Sequence, residues 1–298
     1  MGRIALKVDV DTLRGTREGV PRLLQALARF DISATFLFSL GPDHTGWALR
    51  RLLRPGFFAK VSRTSVLRHY GVRTLAYGVL LPGPDIGRVA AAPMRAARDA
   101  GHECGIHSWD HVRWQDNVRA RDGDWTRAQM RRAFDRFGDV FGVAPTTHGA
   151  AGWQTNDAAL RQIDAWGMRY ASDCRGPAPF IPCIDGKPLG HVQLPTTLPT
   201  LDELIGLKEI DERTVARAIL AGTENDAAHV FTLHAELEGG ELLSVLTELL
   251  AGWRSQGHRL GSLAMLHAEL GAQALDHREL SWGQVEGRSG ELVVAGTG

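Results

Sequence analysis

Strand-like and helix-like stretches alternate along most of this 298-residue chain, which predicts an α/β fold built on a parallel sheet or barrel. Three observations carry that expectation. The opening "RIALKVDV" alternates like a strand and is followed by a helical pattern in Val20, Leu23, Leu24, Leu27 and Phe30. "SATFLFSL" then reads as a buried strand. Finally, strand-like runs recur as "HECGIH", "MRYASDC", "HVQLP" and "AHVFTLH", with helical stretches near 86–100, 124–141, 155–166, 211–222 and 241–256. In such folds chemistry collects where strands end.

Composition sets the outer bounds. At 44% hydrophobic and 23% charged, the chain is ordinary for a soluble globular protein. The 34 basic and 34 acidic residues cancel, so overall charge favours neither nucleic acid nor an acidic partner. Three scattered cysteines, Cys104, Cys174 and Cys183, fit neither a disulfide scaffold nor a zinc-thiolate site and suit a reducing compartment. No run approaches the ~18 apolar residues of a membrane span, and no secretory leader is legible. The expectation is a cytoplasmic protein with no readable obligate protein partner. No linker, repeat or low-complexity segment divides residues 1–275, which read as one domain. Residues 276–298 form a glycine-rich tail of no legible role.

Taking the elements in order, the first strand places Ile4, Leu6, Val8 and Val10 on one face and Lys7, Asp9 and Asp11 on the other. Two carboxylates on one face repel, so a cation, a proton or open water must compensate. Thr16 is the expected N-cap of the first helix. Residues 44–84 are too long for a plain connection. They hold Arg50, Arg51, Arg54, Lys60, Arg63, Arg68 and Arg73 with no acid, a local charge of +7, interleaved with Trp47, Phe57, Phe58 and Tyr70. This basic helical insertion either packs its apolar side on the barrel or docks on an anionic membrane surface.

Further on, "HECGIH" leads through Ser-Trp-Asp to His111. A His-x-x-x-His pair on one helical turn puts His107 and His111 on one face, as metal ligation requires. Two imidazoles and an aspartate with positions left open make a catalytic rather than a structural metal set. Such a set suits zinc, manganese, cobalt, nickel or iron, and residue types do not choose among them. His234 ends the late strand "AHVFTLH" and is expected at the same rim.

Asp9 and Asp11, the run Gly-His-Glu-x-Gly-x-His-Ser-x-x-His at 101–111, and Leu-His at 233–234 resemble the polysaccharide deacetylase, or NodB-like, family. The resemblance implies a distorted (β/α) barrel that hydrolyses amides on amino sugars with a divalent metal ion. "VDVDTLRGTREGVPRLL", "SWDH", "AAGW", "SDCRG", "LPTTLPTLDE" and "TLHAE" look like those members that remove formyl from an undecaprenyl-phosphate-linked aminoarabinose. That reaction serves lipid A modification and resistance to cationic peptides. It implies a membrane-borne substrate and association with the inner face of the inner membrane.

Carried over position by position, the resemblance makes Asp11, His107 and His111 the metal ligands, Asp9 the general base and His234 the general acid. Asp173 then orients His234, or else is a loop cap. The sequence departs from the broad family at "THGAAGW", where an arginine that pairs with the base is expected, and at "DCRG". Charge accounting nominates Arg175 as the partner of Asp9 or as a grip on the substrate phosphate. Trp153 is a wall of the sugar pocket or part of the core. Two further readings are a deacetylase of another amino-sugar glycan and a non-catalytic barrel that binds lipid. Nucleic acid is not expected.

Overall fold

The first strand organises everything around it. In the computed structural model, which describes residues 2–48, 72–271 and 274–296, β1 (Arg3–Val10) is buried almost throughout. Along one edge it pairs in parallel with β9 (Ala228–His234), from Arg3↔Ala228 to Asp9↔His234. Its other edge is shared by β10 (Arg259–Gly261), opposite Arg3–Ala5, and β2 (Thr35–Ser39), opposite Lys7–Val10. The sheet continues through β3 (Glu103–Ser108), β4 (Thr147–His148), β5 (Tyr170–Ala171) and β8 (Val192–Gln193), all parallel. Beyond β8 the chain returns toward β9, and the amides of Thr197 and Leu198 donate to Val230 O. The curled sheet is thereby nearly closed, and the expected distorted (β/α) barrel is the fold.

Two packing environments follow from the alternation along β1. Ile4, Leu6, Val8 and Val10 face outward into a core with Leu23 and Leu27 of α1 (Val20–Arg29) and Leu246, Leu249 and Leu250 of the helix Leu243–Ser255. Ala5 faces inward with Tyr170, Leu194, Val230 and Leu263, which fill the barrel at its lower end. Lys7 and Asp9 come next on that inward face.

Several of the remaining helices start where short polar side chains satisfy free amides. Asp122 accepts from Trp125 N at the head of Gly123–Phe141, and Asn156 from Ala159 N at the head of Asp157–Ala165. Thr16 does not cap α1. Its hydroxyl donates to Thr12 O within a π-helical turn, Gly15–Gly19, that runs directly into α1. Close approach explains the wide turn. A Cβ on Gly15 would lie 2.0 Å from Glu236 Oε1, and one on Gly19 would lie 2.0 Å from Ala235 O.

The glycine-rich tail is structured. Its β11 (His277–Gly283) and β12 (Leu292–Ala295) form a hairpin, and β11 runs parallel to β6 (Ile181–Ile184), which pairs with β7 (Lys187–Pro188). Most of the basic insertion, including Arg50, Arg51, Arg54, Lys60, Arg63 and Arg68, lies outside the described residues. The chain re-enters through the helix Val72–Ala76 and an exposed turn where Val79, Leu80 and Leu81 are 53%, 83% and 43% exposed. Among the described residues no helix is long and apolar enough to cross a membrane.

Candidate active site

The ends of β1, β3 and β9 converge on one buried cluster. Asp11 follows the last residue of β1, and its Oδ1 lies 3.1 Å from His107 Nε2 and 3.4 Å from His111 Nε2. One donor atom from each of the three falls within 4.8 Å of the others. The histidines do not share a helical turn, as the spacing suggested. His107 belongs to β3, whereas His111 opens the helix His111–Asn117, capped by Asp110. A bulge brings them together: Phe38 pairs with Ile106 and Ser39 with Ser108, so His107 is the extra residue and is turned toward Asp11.

These residues fit a divalent cation. His107 Nδ1–H donates to Gly149 O at 2.7 Å, which fixes the ring and directs Nε2 at the cluster. Asp11 Oδ1 is buried and accepts no aligned hydrogen bond, despite its close imidazole neighbours. Burial alone would raise the Asp11 carboxyl, but the imidazoles of His111 and His107 outweigh it and hold the group well below the usual carboxylate range. The Asp11 backbone is held in turn. Glu236 Oε1 accepts from the amides of Asp11 (3.2 Å) and Thr12 (2.9 Å) and from the Thr12 hydroxyl (2.7 Å). Burial, and then the charge of Asp11, push the Glu236 carboxyl up to about 8.

Asp9 and His234 stand side by side, since they are register partners across β1 and β9. Asp9 Oδ2 lies 3.2 Å from Lys7 Nζ, and the Lys7 side chain is fully buried. The cation beside Asp9 is therefore Lys7, two residues back on the same pleat, and not Arg175. Arg175 Nη1 donates to Glu203 Oε1 at 2.6 Å and Nη2 to Leu198 O at 3.0 Å. Asp173 likewise has other partners than His234. It accepts from Ala150 N and Gln193 Nε2 at 2.8 Å each, and its Oδ1 lies 2.6 Å from His148 Nδ1. The loop-cap alternative fits Asp173 in part, because one of its partners is the Ala150 amide. His234 has a different support: its amide donates to Glu238 Oε2 at 2.7 Å.

Trp153 is buried in the wall behind these groups. Its indole meets the His234 ring edge-on at 6.4 Å between centroids, and its Nε1–H donates to Thr196 Oγ1 at 3.0 Å. Sequence reasoning missed Lys7, Glu236 and Glu238 as parts of the site. Lys7 had a visible signal in its two-residue spacing from Asp9; the glutamates had none beyond sharing "LHAELE" with His234.

Comparison with known proteins follows the same lines. The polysaccharide deacetylase family profile matches residues 2–171, more than half of the chain, and spans β1, β3 and both histidines. The chain belongs to the polysaccharide deacetylase family. Among curated family relatives, a probable 4-deoxy-4-formamido-L-arabinose-phosphoundecaprenol deformylase of Shewanella sediminis is 37% identical, over 97% of this chain and 93% of its own. Another protein of that description, from Wigglesworthia glossinidia brevipalpis, is 32% identical over 79% of this chain and 82% of its own. In fold, a putative polysaccharide deacetylase from Mycobacterium smegmatis superposes with a TM-score of 0.63, at 18% identity and 96% coverage of both chains. Like its family, the chain is a hydrolase of the amide-cleaving type.

Proposed function

We propose that this deacetylase-family hydrolase removes the formyl group from undecaprenyl-phosphate-linked 4-deoxy-4-formamido-L-arabinose, releasing formate and the free amino sugar for lipid A modification. The identity of 37% over nearly the whole chain to a protein described as that deformylase supports the substrate. The observation that carries the chemistry is the convergence of Asp11, His107 and His111 beside the Asp9–His234 pair.

Asp11, His107 and His111 would hold a divalent cation, which supplies polarisation of the amide carbonyl and a lowered pKa for the attacking water. Asp9 takes that water's proton as it adds to the formyl carbon. Its Oδ1 is buried and carries no hydrogen bond, so a lone pair is available, while the Lys7 ammonium stands 3.2 Å from Oδ2. His234, across the strand pair from Asp9, gives a proton to the departing amine, which is too poor a leaving group to go as an anion. The test is a deformylation assay on the lipid-linked formamido sugar and its acetamido analogue, in enzyme stripped of metal and then restored. Turnover of the formamide only after restoration supports the reading; equal or greater turnover of the acetamide replaces the substrate, and full activity in the stripped enzyme removes the metal.

A lipid carrier keeps the substrate at the bilayer, so the protein should dock at the inner face of the inner membrane. The exposed Val79–Leu80–Leu81 turn, which follows the Arg-rich stretch in sequence, supports that placement as an apolar tip able to dip into the interface, and the sequence before it supplies basic residues for anionic headgroups. Flotation with anionic vesicles but not with neutral ones is the expected outcome. Equal recovery in the soluble fraction under both conditions contradicts it.

A further inference from the structure

We propose that Arg288, from the C-terminal hairpin, is a positioning residue for the reaction, acting through Trp153 on the imidazole of His234. The inference rests on His234 being the proton donor. Four observations lead to it.

His234 lacks the carboxylate that was expected to orient it, because Asp173 is committed to His148, Ala150 and Gln193. Its Nδ1 is buried and makes no hydrogen bond. The ring is held by packing, and the aromatic group packed on it is Trp153.

Trp153 is itself in a costly conformation. It has φ +53°, directly after Gly152 at φ +62°. A left-handed backbone at a bulky residue persists only where its surroundings over-determine it. Those surroundings are cationic: the Arg175 guanidinium lies 5.1 Å from the indole centroid, that of Arg288 lies 4.6 Å away, and Lys7 Nζ is at 5.2 Å. Arg288 is the closest of the three.

Both guanidiniums are pinned by one acid. Glu203 Oε1 accepts from Arg175 Nη1 at 2.6 Å and from Arg288 Nε at 2.8 Å, and Glu203 is buried. Charge-assisted hydrogen bonds of this kind give the cations fixed positions on the indole face. Finally, the hairpin that carries Arg288 is attached to the same place. Arg175 N donates to Val293 O at 2.9 Å, and Ala295 N donates to Arg175 O at 2.8 Å. The tail thus closes the wall behind the acid half of the site, although it lies beyond the 2–171 span of the family profile.

The experiment compares Arg288→Met, Arg288→Lys and Glu203→Gln in metal-loaded full-length enzyme, each alone and in a His234→Gln background. For Arg288→Met the expected result is a fall in kcat of about tenfold with KM within about twofold. Arg288→Lys should recover part of the loss, since a cation returns to the indole without the planar fork. In the His234→Gln background the same substitution should cost less than about twofold, because the group it positions is gone. Unchanged kcat in folded Arg288→Met, or an undiminished loss in the His234→Gln background, overturns the proposal. Should Arg288→Met not fold, Glu203→Gln is read against the same criteria. The nitrogen-15 spectrum of the His234 ring gives a readout that needs no substrate: one sharp ring state in the parent should broaden or split in Arg288→Met. If the parent enzyme fails to turn over the formamido sugar, the proposed substrate falls and this spectrum alone decides the positioning role, an unchanged ring signal counting against it.

Discussion

Lys7 shows how much of the proposed catalytic cluster one side chain can hold in place. A fully buried ammonium is costly unless paired, and its neighbour at 3.2 Å is the carboxylate expected to take the proton. Replacing it with methionine keeps the stem's packing but leaves Asp9 buried without a counter-charge. Lys7→Met is therefore expected to lose roughly 3 kcal/mol of stability and about a hundredfold in kcat/KM, with bound metal retained. Thermal melts, steady-state kinetics and metal analysis on one preparation check all three. At this scale the sequence was legible where residue type at or just past a strand end is enough to bring side chains together, as for Asp11, His107 and His111. It was not legible where a role is set by a partner. Lys7 stood on the correct face two residues from Asp9, yet an arginine nearly 170 positions away looked like the better cation, because charge accounting carries no geometry. Asp173 was paired with His234 by resemblance to the family pattern, whereas here the β4–β5 pairing sets it beside His148.

Elements position the site through small irregularities that composition does not reveal. The one-residue bulge in β3 aims His107, and the π-helical turn after Thr12 lets Glu236 reach the Asp11 amide. The strand and helix order was readable from periodicity, since hydrophobic alternation and helical spacing are local. A bulge is decided by how two strands pair, so "HECGIH" gives no sign of it. Gly15 tests the turn. Its added methyl would fall 2.0 Å from Glu236 Oε1, forcing that carboxylate off the Asp11 and Thr12 amides. Gly15→Ala is expected to weaken divalent-metal affinity by about 10–100-fold, the usual cost of losing an outer support of a ligand. Calorimetric titration of the stripped enzyme measures it, and Gly138→Ala, where a Cβ meets nothing within 4 Å, is the matched control.

For the molecule as a whole, buried acids near the β9 end tie stability to pH. Burial pushes the Glu238 carboxyl up from 4.5 to about 8. Below pH 4.5 the group is protonated folded and unfolded, and contributes no pH dependence. Between 4.5 and about 8 the native state keeps a proton that the unfolded chain has released, so stability falls as pH rises, by up to about 1.4 kcal/mol per unit. Above that window the cost is constant. Glu238→Gln, which retains an acceptor for the His234 amide, should melt several degrees above the parent at pH 8 and close to it at pH 4.5. The tail, whose role could not be read from its glycines, is bound to the body by long-range pairing with β6 and Arg175. Only the folded chain brings those partners together.

Lys7, Asp9 and Asp11 occupy every second position of one strand and its immediate continuation, and their separate duties ride on a single reading frame. A slip of one residue would turn all three outward together and bring Leu6, Val8 and Val10 in. A deletion or insertion that shifts the frame from Arg3 on would displace the counter-cation, the proposed base and a proposed ligand together. Seven consecutive pairings with β9 hold that frame, and they run as far as His234, so the strand that carries the proposed proton donor also keeps the proposed acceptor in step.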